Sequence, residues 1–202
     1  MIVFSLVFGK LAKIPSDGIP YPLFSYVALV PWTYFSMAMT KSTQSLVTST
    51  NLFTKVYFPR LIIPLTPVIA GLVDFVIALT IVFGLMAYYK YPPTLAILYL
   101  PMLIIIMILT SAGIGMWLSG LSVQYRDIKH AIQFITQMMM YAAPVVWPAS
   151  LIAEKFGDSA RLIYGIYPMA GVIEGFRSSL LAHNPMPWDL ILLGSVSSIV
   201  LF

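Results

Sequence analysis

The sequence predicts an all-α, polytopic membrane helix bundle forming one domain. Three observations carry this. Hydrophobic residues fill 60% of the 202 positions and charged residues only 9%, whereas a soluble domain carries about 25% charge. Mean hydropathy is +0.93, and the apolar runs approach the ~20 residues that cross a bilayer as helix. Aromatic residues crowd the ends of those runs, as in an interfacial belt: Tyr21, Tyr26, Trp32 and Tyr34, then Tyr88, Tyr89 and Tyr91, then Trp147 and Trp188. The alternating strands of an outer-membrane barrel, each roughly ten residues long, are absent.

In chain order, Met1–Phe8 is apolar but too short to span. It lacks the charged start and small-residue cleavage site of a signal peptide. Leu190–Phe202 is apolar to its last residue. Both read as incomplete spans, so the domain is expected to be truncated at each end. Four complete segments lie between them. The first is Leu23–Met39, extended by a Ser/Thr-rich tail to Thr50; the others are Leu61–Tyr89, Leu95–Val123 and Ala131–Trp147. Pro31, Pro64, Pro67, Pro101 and Pro144 should kink or end helices, which membranes tolerate where neighbours satisfy the freed carbonyls. The stretch 148–187 is too polar to cross and too apolar for a solvated loop. A break at Gly165–Pro168 divides it into two short amphipathic segments, Leu151–Tyr164 and Met169–Ala182, with Glu174 and Arg177 spaced to pair. Two helices dipping into one leaflet fit, as do two interfacial helices.

The net charge of +4 comes from eleven scattered Lys/Arg against seven acids. With no basic block, these residues act as topology determinants rather than as a nucleic-acid surface. Lys41, Lys55, Arg60, Arg126 and Lys129 fall on one side, and Lys10, Lys13 and Lys90 on the other. The richer side is assigned to the cytoplasm.

Catalytic chemistry is poorly represented. Cysteine is absent, which excludes disulfides and thiol catalysis. His130 and His183 fall on opposite faces, no HExxH or Walker A sequence occurs, and the acids do not cluster with metal-ligand spacing. Asp74 is the one acid inside a predicted span, where it either fixes packing or serves a pathway. Gly113 and Gly115 suit close helix approach. The run "QMMMY" at 137–141 suits packing, or a lipid-tolerant channel.

Six stretches in order carry a resemblance: "PYPLFSYVALVPWTYFS", "KVYFPRLIIPL", "LVDF", "LSVQYRDIKH", "APVVWP" and "YPMAGVIEGFRSSLL". Together they resemble the membrane subunit of ABC-2 type exporters, specifically the bacterial polysaccharide and polyol-phosphate export permeases that handle O-antigen, capsule or teichoic acid. The resemblance covers essentially the whole chain. It implies six helices per full subunit, a homodimer in the inner membrane and two copies of a separate ABC ATPase. No cofactor is then expected on this chain, with ATP and Mg on the partner, and the substrate is a lipid-linked glycan or polyol phosphate held among membrane lipids. It makes 51–60 the cytoplasmic coupling segment, with Asn51, Phe53, Lys55, Tyr57, Phe58, Pro59 and Arg60 facing the ATPase. Arg126 and Asp127 match the family's Arg-Asp pair in a cytoplasmic loop, and 151–182 becomes a pair of re-entrant gate helices on the outer side. Tyr167 stands where the family often has Asn, before Pro168 and Met169. The pathway and gate candidates are Trp32, Tyr34, Tyr141, Trp147, Tyr167, Pro168, Glu174 and Arg177. A drug-exporting relative and a membrane-embedded lipid-modifying enzyme are the competing readings. The enzyme requires acids such as Asp74, Asp127 and Glu174 to converge.

Overall fold

A computed structural model describes residues 19–49, 59, 61–92, 94–125, 127–149, 151–152, 157–181 and 185–202. Helix α1 spans Tyr21–Thr48, with Pro22 in its first turn, where a missing N–H costs nothing, and Pro31 inside it. The Ser/Thr-rich tail continues the helix as expected. Its hydroxyls turn back onto the helix: Thr43 Oγ1 donates to Met39 O at 2.8 Å and Thr48 Oγ1 to Gln44 O at 2.6 Å. Helix α2 spans Ile62–Tyr88, with Pro64 in its first turn and Pro67 inside. A 3-10 turn, Leu95–Tyr99, leads into helix α3, Leu100–Gln124, whose second residue is Pro101. Residues 62–88 and 95–124 are long and apolar enough to cross a membrane.

Helix α4 spans Ile128–Ala142, so the predicted Ala131–Trp147 segment is corrected at its C-terminal end. Pro144 is the cause. It forces Ala143 into extended backbone (ψ 147°), and the helix stops there. Helices α5, Asp158–Gly165, and α6, Pro168–Leu181, flank the expected break at Gly165–Pro168. The first of these begins later than Leu151, although 151–152 are also helical. Helix α7 spans Trp188–Leu201. Among the described residues every regular element is helical.

The centre of the bundle is α1, packed against α2 and α3, with α6 and α7 completing the core at one end. Phe24, Phe35, Met39, Leu103, Met107, Ile173 and Phe176 are fully buried there. Small residues set the closest approaches. A Cβ on Gly115 would sit 2.6 Å from Ser42 Oγ, and one on Gly113 would sit 2.7 Å from Leu201 O. Both glycines therefore serve close helix contact, as the sequence suggested. Hydroxyls bridge the same seams. Ser122 Oγ donates to Thr43 O at 2.9 Å, and Thr110 Oγ1 and Ser198 Oγ are hydrogen-bonded at 2.8 Å.

These pairings define two ends. One holds the close of α1, the start of α2, the close of α3 and the start of α4. The other holds the start of α1, the α2–α3 turn, residues 143–149 and the start of α7. Helices α5 and α6 belong to the second end. Arg161 pairs with Asp189 at the start of α7, Gly165 packs against Leu193, and the Pro168 backbone meets Gly194. From there α6 returns along α7, bringing Gly171 against Leu190 and Ser178 to Pro185. The pair thus descends about 7.5 Å along α7, five residues at the helical rise, and comes back out.

Candidate functional site

Residues 143–149 interrupt the bundle between α4 and the α5–α6 pair. A buried non-helical stretch needs partners for its backbone groups, and here side chains from two other helices supply them. The Arg177 guanidinium donates through Nη2 to Val145 O at 2.8 Å and through Nη1 to Trp147 O at 3.3 Å. Tyr21 Oη donates to Val146 O at 3.1 Å. Glu174 Oε1 accepts from the Ala149 N–H at 2.7 Å. The expected i,i+3 pair is present, with Arg177 Nη1 3.0 Å from Glu174 Oε1. Arg177 and Glu174 are 5% and 9% exposed, so their charges cancel in a desolvated place. The Phe24 ring covers the guanidinium, 3.7 Å from its centroid.

Beside this cluster lies a cavity of about 170 Å³ lined by Ala149, Arg161, Glu174, Ser178 and Pro187. Arg161, on its wall, is half-buried and pairs with Asp189 at 2.9 Å. Helix α4 is tied to the α5–α6 turn, since Tyr164 Oη donates to Ala142 O at 2.7 Å and Tyr167 Oη to Met139 O at 3.4 Å. Trp147 packs on Tyr164 with ring centroids 5.8 Å apart.

The predicted residues separate into groups. Glu174, Arg177, Trp147, Tyr167 and Pro168 come together at this end. Trp32 and Tyr34 are buried, 4% and 5% exposed, and do not share the open face of Tyr141, which is 64% exposed. Asp74 is exposed on α2. It lines a groove of about 230 Å³ against α1 with Tyr26, Thr33, Met37, Lys41 and Gly71. Asp127 is exposed at the opposite end from Glu174. The acids therefore do not converge as the enzyme reading requires, and among the described residues no group of His, Cys, Asp and Glu is placed to hold a metal ion. Asn51, Phe53, Lys55, Tyr57, Phe58, Arg60 and Arg126 lie outside the described residues, whereas Pro59 is described and exposed. Sequence reasoning missed Tyr21 as the donor to Val146 O and Phe24 as the ring under Arg177, because each pair is far apart in sequence. It also missed the Arg161–Asp189 pair, whose members sit on different elements.

Helix α4 carries the other candidate surface. Ile132 alone is buried on it. Lys129, His130, Gln133 and Gln137 are exposed and occupy one arc of about 100° by helical geometry. Phe134, Met138 and Tyr141 are 65%, 59% and 64% exposed on the adjoining arc.

The profile of the family described as ABC-2 type transporter matches residues 1–181. The chain is 27% identical over 205 residues to the O-antigen export system permease protein RfbA of Myxococcus xanthus, covering 100% of this chain and 76% of that one. It is also similar to two proteins of that name from Klebsiella pneumoniae. One is 28% identical, covering 78% of this chain and 60% of the relative. The other is 25% identical, covering 90% and 68%.

Proposed function

Because this chain belongs to the ABC-2 type transporter family, we propose that it is the membrane-spanning permease subunit of an ATP-driven exporter. Its cargo is a lipid-linked polysaccharide or polyol phosphate, and it works as a multi-pass protein of the bacterial inner membrane. The names of its relatives support the cargo class.

The observation that carries the reading is the polar arc of α4. Exposed amides facing lipid are costly, because hydrocarbon offers them no partner. Gln133 and Gln137 therefore face protein or a watery passage, while Phe134 and Met138 meet lipid or a neighbour. A homodimer that sets two such arcs across from each other forms a passage between them. Tyr141 stands at the edge of the arc and Trp147 beyond its outer end, and both offer faces on which sugar rings stack. The α5–α6 pair, entering and leaving on one side, is the re-entrant gate of this passage, with Tyr167 and Pro168 at its base.

ATP and Mg belong to a separate ABC ATPase present in two copies. Residues 51–60 dock on it through Phe53, Tyr57 and Phe58, with charge from Lys55 and Arg60; aromatics and Arg are the residue types that dominate interface energetics. Arg126 and Asp127 hold the connection between α3 and α4 near that contact.

The test uses the full-length permease in a strain lacking its own copy. The wild type restores surface polysaccharide. Gln133→Leu with Gln137→Leu abolishes it while membrane level and ATPase co-purification persist. Phe58→Ala with Arg60→Ala loses co-purification. Failure of the wild type to restore any surface glycan would overturn the cargo assignment.

A further inference from the structure

The 143–149 break is held from outside itself. Val145 O, Val146 O, Trp147 O and the Ala149 N–H are each bonded by a side chain from α1 or α6. Three residues, Tyr21, Glu174 and Arg177, do all of this. Arg177 and Glu174 lie one turn apart on α6, so that helix reads both sides of the break at once. Tyr21 sits in the first turn of α1 and takes the carbonyl between the two that Arg177 holds. The Arg fork is required for this geometry, because one planar group reaches Val145 O, Trp147 O and Glu174 while lying over Phe24. A lysine ammonium is a single point on a flexible stem and does not reproduce that arrangement.

We propose that Tyr21, Glu174 and Arg177 are positioning residues that hold the 143–149 break in one dry conformation and thereby fix α6 against the outer end of α1. Any shift of the α5–α6 pair relative to α1 must break at least one of these bonds. A buried backbone carbonyl or N–H of the break left without its partner is strongly disfavoured. The set therefore makes the position of the pair all-or-none rather than graded. Its consequence for export rests on the transporter reading above; its consequence for the break does not.

The chain has no cysteine, so one thiol can be introduced at Val146, which is 6% exposed. Reaction needs thiolate and hence water, so the labelling rate in membranes reports opening of the break in the full-length protein. In the V146C background, Arg177→Gln and Glu174→Gln should label about tenfold faster or more, the response expected for losing charge-assisted bonds at a local opening. Arg177→Lys should not restore the slow rate. Neither should the swap of Glu174→Arg with Arg177→Glu, because a carboxylate at 177 would face the carbonyls of Val145 and Trp147.

Unchanged labelling in well-accumulated variants overturns the proposal. So does full rescue by the swap, which would mean that the pair only neutralises charge. Should the Arg177 variants fail to accumulate, Tyr21→Phe carries the test, since it removes one donor and leaves the pair intact. About threefold faster labelling is expected of it, and an unchanged rate overturns the proposal. Export is the second readout. Faster labelling with lost export and continued ATP hydrolysis supports a positioning role, and faster labelling with full export removes that role. A wild type that exports no glycan would fault the cargo reading alone, because the labelling result stands without it.

Discussion

Tyr34 of α1 donates its hydroxyl to the carbonyl of Val68 on α2 at 2.9 Å. The same ring meets Phe75 edge-on, with centroids 5.6 Å apart, and fills the space over Gly71. One residue thus joins two helices by a polar and an aromatic contact. Tyr34→Phe should cost about 0.5–1.5 kcal/mol, the net worth of one hydrogen bond. Tyr34→Ala should cost about 3–5 kcal/mol, the range for truncating a buried large aromatic. Denaturation of the purified full-length permease in detergent measures both. Equal losses would show that packing contributes nothing beyond the hydroxyl.

Gly171 and Gly84 make a matched pair. A Cβ on Gly171 would lie 2.6 Å from Leu190 O and 2.8 Å from its carbonyl carbon. Those are backbone atoms and cannot swing away. Gly171→Ala should therefore push α6 from α7 and cost about 1–3 kcal/mol. Gly84 has no atom within 4 Å of its Cβ direction. Gly84→Ala should stabilise α2 by up to about 1 kcal/mol through helix propensity. Thermal midpoints of the two variants should move in opposite directions.

Phe24 covers the Arg177 guanidinium, whose N–H groups hold the carbonyls. Phe24→Leu keeps an apolar side chain in the site and removes the ring face. The desolvated cation–π contact is worth about 2 kcal/mol, so stability should fall by that order. A double-mutant cycle with Arg177→Met should return a coupling of about 0.5–3 kcal/mol. Strict additivity would mean that the ring acts only as filler.

Much of this fold was legible because the signals were local. Apolar runs marked α2 and α3, Pro144 marked where α4 stops, and the i,i+3 spacing marked the Glu174–Arg177 pair. The predicted segment extends to Trp147 because the apolar run continues past Pro144, while the proline itself, expected to kink or end a helix, does end α4 at Ala142. The cluster around Arg177 stayed hidden for a different reason. Its acceptors are main-chain carbonyls, which every residue has, and its donor Tyr21 looks like any interfacial aromatic. Trp32 and Tyr34 are less legible, because residue type alone does not say which face of α1 they occupy; both are buried, and Tyr34 also lines the groove between α1 and α2.

Lys90 closes α2 in the left-handed region, with φ 59°. The Tyr91 N–H donates to Met86 O at 2.9 Å and the Lys90 N–H to Ala87 O at 3.2 Å, so this turn is the helix's C-terminal cap. A β-carbon in that conformation costs roughly 1–2 kcal/mol, and glycine escapes most of it. Lys90→Gly should raise stability by about 1 kcal/mol, whereas Lys90→Ala should give no such gain, since it keeps the strain and removes only the charge. Orientation should not change in either variant. The five basic residues on the side assigned to the cytoplasm from sequence would then face two rather than three (3 − 1 = 2), which strengthens the bias. Melting curves and accessibility of a tag at the α2–α3 turn would check both halves. A gain for Lys90→Ala equal to that for Lys90→Gly would place the effect in the charge rather than the backbone.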